Sequence, residues 1–279
     1  MSEMWNSVAA AWERNADFVD EHLAGATEEL LDAAQVTEGD AVLDLATGPG
    51  GAGLAAAERV GPSGRVVLAD DAPGMVAVAA RRSRGRDGVG TAVFDQCAID
   101  AADESLDAVI SRHGLMFVDD PSVAVREAAR VLRPGGRYAA MTWDRREANP
   151  WLGLILDAVG EQFGVPFPPP GIAGPFSLSD PDALVAVLEA GGLEDVSVSS
   201  LATPMPAASL EAWWDRVPHL AGPLATALEA MEPEVRDAIR QRALSAGSAA
   251  ARPADDGIVL DGSVLIASGR RPGASPAPS

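Results

Sequence analysis

Lysine is absent from this chain. All 21 basic residues are arginine, set against 41 acidic ones, and the formal net charge is −20. Schiff-base chemistry, pyridoxal-phosphate attachment and a lysine general base are therefore excluded. So negative a balance also argues against nucleic acid, whose affinity rests on clustered Lys and Arg, and against anionic membrane surfaces. Cysteine occurs once, as Cys97. No internal disulfide and no cysteine-built zinc site can form, and Cys97 is expected as a small, partly buried neighbour of a site. The single tyrosine, Tyr138, falls inside a strand pattern and reads as core. No stretch approaches the roughly eighteen apolar residues of a membrane span. Met1-Ser2-Glu3-Met4-Trp5 lacks the basic region and apolar run of a signal peptide, so a cytoplasmic protein is expected. No residues have metal-ligand spacing, no Ser–His–Asp arrangement is evident, and no internal repeat is visible.

What is present is ordinary for a globular protein: 47% hydrophobic and 22% charged residues over 279 positions, ample for a buried core. The organising stretch is Asp40-Ala41-Val42-Leu43-Asp44-Leu45-Ala46-Thr47-Gly48-Pro49-Gly50-Gly51-Ala52-Gly53, which reads as strand, glycine loop and helix start. Further strands follow at 65–69, 91–94, 105–110 and 138–143, with helices between them. That alternation implies βαβ units, a parallel sheet and helices on both faces. Ligands of such sheets lie outside the carboxyl ends of the strands. The polar residues there are Asp44, Asp70, Asp95, Ser111 and Trp143-Asp144.

Before the first strand, residues 4–22 form an amphipathic pattern containing Trp5 and Trp12. Core packing is the favoured reading of both, and a lid over the pocket is the alternative. Thr27 is the expected N-cap of a second helix. The run Arg81-Arg82-Ser83-Arg84-Gly85-Arg86 reads as cations closing a helix, with no partner required. Beyond strand five the pattern loosens. A helix at 151–163, a polyproline-like connector at 165–171, a helix from Pro181, a strand at 196–201, two or three helices over 209–246 and a last strand or hairpin at 257–268 are expected. The division is a helical lid at 1–38, a core at 39–145, the rest of the sheet with cap helices at 146–269, and a disordered tail at 270–279.

Two ligands compete for the glycine loop. Gly48, Gly50 and Gly53 spell G-x-G-x-x-G, the dinucleotide pattern. Asp44, however, would place a carboxylate where pyrophosphate approaches. It suits a ligand carrying an ammonium or sulfonium charge, and S-adenosylmethionine carries both. Asp70 then suits its ribose and Asp95 its adenine amino group.

These residues resemble a known family. Val42-Leu43-Asp44-Leu45-Ala46-Thr47-Gly48-Pro49-Gly50 resembles motif I of class I S-adenosylmethionine-dependent methyltransferases. Leu68-Ala69-Asp70-Asp71-Ala72-Pro73-Gly74-Met75 and Phe94-Asp95-Gln96 are similar to the second and third motifs. Ser105 to Val109 and Arg130 to Gly136 resemble the later landmarks. The likeness is to the ubiquinone/menaquinone-type branch and its natural-product relatives, and it covers about residues 1–145.

The resemblance implies a doubly wound, mostly parallel, seven-stranded Rossmann-like sheet with an antiparallel last strand and helical cap elements. It implies that Asp44 and the loop amides around Ala46, Gly48 and Gly50 hold the methionine part. Asp70, with Asp71 beside it, would serve the ribose. Met75 would pack near the adenine, Asp95 would take its amino group and Gln96 would offer a backbone contact. Ser111 would sit by the methionine amino group. Ala46 departs from a common glycine and is expected to be tolerated at negative φ. Pro49 removes one loop N–H.

Methyl transfer needs a base only where the acceptor must lose a proton. His113, after strand four, is the first candidate, and its alternative is a structural histidine beside Met116 and Phe117. His219, near Trp213 and Trp214, is the second, and its alternative is a surface or interhelical histidine. His22 is assigned nothing. The expected activity is O-, C- or N-methylation of a small, fairly apolar acceptor in secondary metabolism, with S-adenosylhomocysteine as product. The alternatives are a cofactor-binding cyclisation or rearrangement enzyme, an NAD(P)-dependent oxidoreductase and a non-catalytic binding module. A homo-oligomer contact through aromatics of the N-terminal helix would be unsurprising.

Overall fold

The structure, a computed structural model, describes residues 2–169, 171–222 and 224–273. Its centre is strand β1 (Ala41–Leu45), buried at every position because apolar layers cover both faces. Around it lie β2 (Arg65–Asp70), β3 (Val89–Val93), β4 (Leu106–Arg112), β5 (Leu132–Trp143), β6 (Glu194–Ala202) and β10 (Ser263–Arg270). The sheet runs β3-β2-β1-β4-β5-β10-β6. Neighbours from β3 to β5 are parallel, and β10 is antiparallel to both β5 and β6. The chain order reverses between β1 and β4, which is where ligands of such sheets bind.

Helices α2 (Ala24–Ala33) and α3 (Gly51–Val60) touch each other and pack on the central strands, with α4 (Pro73–Arg82) against β2 and β3. Helices α5 (Pro121–Val131) and α7 (Pro181–Ala190) form another packed pair against β5, β6 and β10. Both begin with an Asp that caps backbone N–H groups, Asp120 for Ser122 and Asp180 for Asp182 and Ala183, followed by Pro at the first helical position. Tyr138 is core, as its strand position implies.

The C-terminal half adds a cap. Helix α6 (Pro150–Phe163) packs on α10 (Pro233–Ala250), which packs on α8 (Leu210–Arg216). Trp213 is fully buried there, and its indole N–H donates to the Trp151 carbonyl at 2.7 Å, so a large apolar ring is inserted with its polar atom satisfied. A short helix, α9 (Leu224–Glu229), lies between α8 and α10.

Several expectations are corrected. Residues 257–268 are not one hairpin. Strand β9 (Gly257–Leu260) joins β7 (Met205–Ala207) and β8 (Arg252–Ala254) in a separate three-stranded sheet, and only β10 enters the main sheet. Thr27 is not an N-cap: α2 starts at Ala24, and the buried Thr27 hydroxyl accepts from Arg112 Nη1 at 3.0 Å. The segment 1–38 is not one lid, because α2 packs on the sheet and only α1 (Ser2–His22) crosses its edge. The arginine run closes α4 as expected, and it is also paired within the chain: Arg81 with Glu13, Arg82 with Asp17 and Asp20, and Arg86 with Glu58.

The segment 270–273 is ordered as well. Arg270 ends β10, and Arg271 donates to the Arg130 and Leu132 carbonyls and pairs with Glu104. The rest of the expected tail, 274–279, and Pro170 of the connector lie outside the described residues. Trp5 and Trp12 are partly buried and pack against a cluster of Val8, Ala9, Ala72, Met75 and Val78, the core reading that the sequence favoured. No helix among the described residues is long and apolar enough to cross a membrane.

Candidate active site

The carboxyl edge of the sheet gathers the acids. Asp44, in β1, is 1% exposed. Its Oδ2 accepts from the Thr47 hydroxyl and, at 2.8 Å, from the Gly53 N–H in the first turn of α3. Its Oδ1 is buried without a partner. Burial raises its pKa to about 6, against the opposing effects of Thr47, Arg112 and Gly53. Gly53 is required by close approach, since a Cβ there would stand 2.1 Å from Leu68 Cδ2 and 2.8 Å from Asp44 Oδ2.

Asp70 ends β2. Its two oxygens accept from the Gly48 N–H at 2.9 Å and the Ala72 N–H at 3.0 Å, and burial raises its pKa to about 6. The glycine-loop amides are therefore engaged internally: Gly48 N–H on Asp70, Gly50 N–H on the Thr47 carbonyl at 2.9 Å. Both amides were expected to face a methionine group, and here each has an internal acceptor. Gly48 and Gly50 supply shape, both with positive φ, and not free donors. Ala46 also departs from expectation, with φ at +52°. Its methyl fits because Gly114 lies opposite and has no side chain.

The remaining expected cofactor residues divide. Ser111 is fully buried with an unpartnered Oγ, and Gln96 donates from Nε2 to the Gly114 carbonyl at 3.4 Å while its Oε1 has no partner. Both face the edge. Asp71 gives its backbone carbonyl to the Ser2 hydroxyl, and burial and the nearby Asp95 raise its side-chain pKa. Met75 is buried beneath α1. Asp95 is exposed, with Oδ1 accepting from the Cys97 N–H at 2.8 Å to shape the turn after β3.

Helix α1, about 30 Å long by its residue count, closes this edge. Asn6 accepts from the Gly74 N–H at 2.6 Å. Trp5 meets Phe117 edge-on with centroids 5.0 Å apart. The Asp20 carboxylate bridges Arg82 Nη2 and Arg112 Nη2, each at 2.7 Å, and Arg82 Nη1 holds the Pro49 carbonyl. Asp20 sits directly on the start of α3, where a Cβ on Gly51 would be 1.7 Å from its Oδ1. The chain pattern contained a signal for this contact. Glu13, Asp17 and Asp20 share one face of α1, and Arg81-Arg82 supply the opposite charge.

His113 follows β4 in a left-handed conformation, φ +62°, costly for a residue with a Cβ. Its ring stacks on Trp143 at 4.0 Å and 15°, and Trp143 in turn meets Trp151 edge-on. Its pKa lies well below the usual value, through burial and the charges of Arg112 and His22. The aromatic partner of His113 is Trp143, at the end of β5. His219 is on the short turn Val217–Leu220, which packs on α1, and no hydrogen bond among the described residues joins it to the His113 group. An open groove lined by Phe18, Pro206, Arg216, Asp255 and Ile258 lies between α1 and the three-stranded sheet, and none of the strand-end acids lines it. The chemistry of the strand ends locates the site better than that groove does.

This donor set fits the nucleoside ligand expected from the sequence. An unpartnered buried carboxylate oxygen suits an ammonium group, and the loop has been shaped without side chains at Gly51 and Gly53. The sheet order and acid-bearing edge give a doubly wound, Rossmann-like sheet with buried carboxylates at its ligand-binding edge.

Comparison with known proteins agrees. Residues 43–140 match a family described as a methyltransferase domain. The ubiquinone/menaquinone biosynthesis C-methyltransferase UbiE of Xanthomonas campestris is 35% identical over 161 residues, 56% of this chain and 63% of that protein. The chain thus spans less than two thirds of this curated relative. Among solved structures, the YcgJ protein of Bacillus subtilis superposes with a TM-score of 0.60 at 18% identity, covering 90% of this chain and all of that one. A chain from the complex of the Haloferax volcanii Trm112 methyltransferase activator with a putative methyltransferase gives 0.58 at 21% identity, covering 96% and 97%.

Proposed function

We propose that this chain transfers a methyl group from S-adenosylmethionine to a small, fairly apolar acceptor, at oxygen, carbon or nitrogen. The observation that carries this reading is Asp44. One carboxylate oxygen is held by Thr47 and Gly53, and the other is buried and unpartnered at the head of the glycine loop. Such a charge repels a pyrophosphate and attracts an ammonium, which speaks against the dinucleotide reading of the same glycines. Asp44 and Ser111 would hold the amino group of the cofactor and Asp70 its ribose hydroxyls, each Asp70 oxygen keeping acceptor capacity beyond its one backbone N–H. Asp71, Met75, Asp95 and Gln96 would flank the nucleoside. When bound, the cofactor supplies an electrophilic methyl group.

The chain's own part is to orient the acceptor, exclude water and move a proton. Trp5, Phe117, Trp143 and Trp151 make the surroundings apolar, and α1 closes them. His113 is the base in this reading. Its neutral ring keeps an acceptor lone pair to receive a hydroxyl or carbon-acid proton. The relative named for ubiquinone and menaquinone biosynthesis supports a ring-bearing acceptor of quinone or natural-product type, met in the cytoplasm.

Calorimetric titration with S-adenosylhomocysteine and with NAD(P) tests the cofactor. Binding of the first and silence with the second is expected, and the reverse overturns the reading. Incubation with methyl-labelled S-adenosylmethionine and quinol or phenol acceptors tests the transfer, with label expected in the acceptor. A rearranged, unlabelled product would overturn methyl transfer while leaving the cofactor assignment intact.

A further inference from the structure

The cofactor assigned above carries an α-carboxylate, and the Gly48 and Gly50 amides expected to receive its methionine part are both taken. Other donors for an anion surround Asp20. Its Oδ1 accepts from Arg112 Nη2 and its Oδ2 from Arg82 Nη2, each at 2.7 Å. The carboxylate lies against the start of α3, where a Cβ on Gly51 would be 1.7 Å from Asp20 Oδ1 and 2.5 Å from Arg112 Nη2. The Gly51 and Ala52 N–H groups, the first two of α3, take no acceptor among the described residues, and both residues are buried. Two guanidiniums and a helix N-terminus thus surround one carboxylate, which is an anion site filled by the chain itself.

This place belongs to the same ligand edge as Asp44. Ile110 is the register partner of Asp44, and Arg112, two residues further along β4, returns to the same face of the sheet. The first turn of α3 touches both carboxylates. Gly53 N–H donates to Asp44 Oδ2 at 2.8 Å, and Gly51 meets Asp20. Gly51 and Gly53 are about 3 Å apart along the helix axis, the span of an ammonium and a carboxylate borne on one α-carbon. An ammonium on the buried, unpartnered Asp44 Oδ1 therefore brings its carboxylate to the donors that Asp20 holds.

We infer that Asp20 is an internal competitor for the α-carboxylate of S-adenosylmethionine, the two carboxylates exchanging at Arg112 and the start of α3. This rests on the methyltransferase reading above and adds to it how the cofactor site is controlled. The exchange strands no charge. Arg112 passes from one carboxylate to another and keeps the Thr27 hydroxyl on Nη1, while Asp20 keeps Arg82. Arg82 in turn keeps the Pro49 carbonyl on Nη1, so the glycine loop stays in place. Asp17 does not substitute for Asp20, since it meets only Arg82, at 3.3 Å, with its own side chain in full solvent. Because Asp20 is carried by α1, the contact that fastens this helix over the edge also sets the threshold for cofactor binding.

The test is titration calorimetry on the full chain, comparing S-adenosylhomocysteine with its decarboxylated analogue, which keeps the amine, the ribose and the adenine. Wild type should prefer S-adenosylhomocysteine roughly three- to tenfold, a charge-assisted contact partly offset by displacing Asp20. Asp20→Asn keeps the shape and removes the competing charge. It should tighten S-adenosylhomocysteine by roughly a further three- to tenfold and leave the analogue, a cation, no tighter. Arg112→Gln should abolish the preference without weakening the analogue, and Arg112→Lys should recover part of it. If Arg112→Gln does not fold, Asp20→Asn decides alone.

Equal wild-type affinity for the two ligands, an unwidened preference in Asp20→Asn, or a preference kept by Arg112→Gln overturns the inference. A helix that only covers the site would make Asp20→Asn weaken both ligands alike. In each of these cases S-adenosylhomocysteine binding by wild type leaves the methyltransferase reading standing. Failure of the wild-type chain to bind S-adenosylhomocysteine overturns that reading instead.

Discussion

The methyl group of Ala46 occupies the space that a side chain on Gly114 would need: a Cβ there would stand 2.3 Å from Ala46 Cβ and 2.8 Å from Ser111 Oγ. The glycine after His113 thus compensates for an alanine in the glycine loop, across 68 positions of chain. Gly114→Ala should destabilise the protein by about 1–3 kcal/mol through overpacking. Ala46→Gly relieves a left-handed φ of +52° and should be neutral or stabilising by up to about 1 kcal/mol. Urea unfolding of both variants checks the pair. A harmless Gly114→Ala would mean that the loop yields easily.

Asp44 sets stability against ligand binding. Its carboxyl and that of Asp70 have pKa values of about 6, above the ordinary 3.8, because both are buried. The folded protein therefore holds protons there that the unfolded chain releases near 3.8. The stability due to these groups is full below that value, declines as pH rises towards 6, and is flat above. Asp44→Asn should accordingly raise the melting temperature of the ligand-free protein at pH 7.5, by the equivalent of about 1–2 kcal/mol. The same substitution should weaken S-adenosylhomocysteine at least tenfold, a scale set by roughly 1.5–3 kcal/mol for a charged hydrogen bond.

The same pKa values predict how binding responds to pH. Wild-type affinity for S-adenosylhomocysteine should be constant above about pH 7 and fall as the solution is acidified through 6, since an ammonium group needs the ionised carboxylate. Titration calorimetry between pH 5 and 8 measures it. Flat affinity across that range would remove Asp44 and Asp70 from the binding surface.

Asp20 holds α1 to both Arg82 and Arg112. Arg112 is largely covered, so removing its partner leaves a charge with poor solvation. Asp20→Ala should cost about 1–3 kcal/mol, less than for a fully buried pair. Hydrogen exchange should quicken in residues 2–22 and leave the amides of β1, β4 and β5 protected. Uniform protection would show that Asn6, Trp5 and the packing around Met75 suffice to hold the helix.

Cys97 is predicted to be inert. Its pKa is raised to about 11 by burial and by Asp95, Asp119 and Asp120, so little thiolate exists at neutral pH. Its reaction with a disulfide reagent at pH 7.5 should be far slower than that of free cysteine and should accelerate only as the pH approaches 11.

The identity of the edge acids was readable from the chain because the information is local. Asp44, Asp70 and Asp95 each end an apolar strand, and strands of one parallel sheet must present those ends together. Capping by Asp120 and Asp180 was local in the same sense. Thr27 misled because its residue type suits an N-cap, whereas its hydroxyl is claimed by Arg112, 85 positions away. Ala46 misled because a backbone dihedral in a loop answers to whatever packs on it, here Gly114.

The histidines mark the same boundary from the other side. Sequence alone places His113 after strand four and His22 near the end of a helix, with nothing to relate them. The segments that carry them are joined by Asp20 and Arg112, 92 residues apart, and such pairings are decided by how the helices settle on the sheet once its apolar faces are buried. Sequence by itself determined the strand–loop–helix unit, the sheet class and the acids at the strand ends, since periodicity and local chemistry suffice for these. Only the tertiary structure decided that α1 closes the edge, that the loop amides are already engaged and that His113 stacks on Trp143, because each is a contact that no local rule connects.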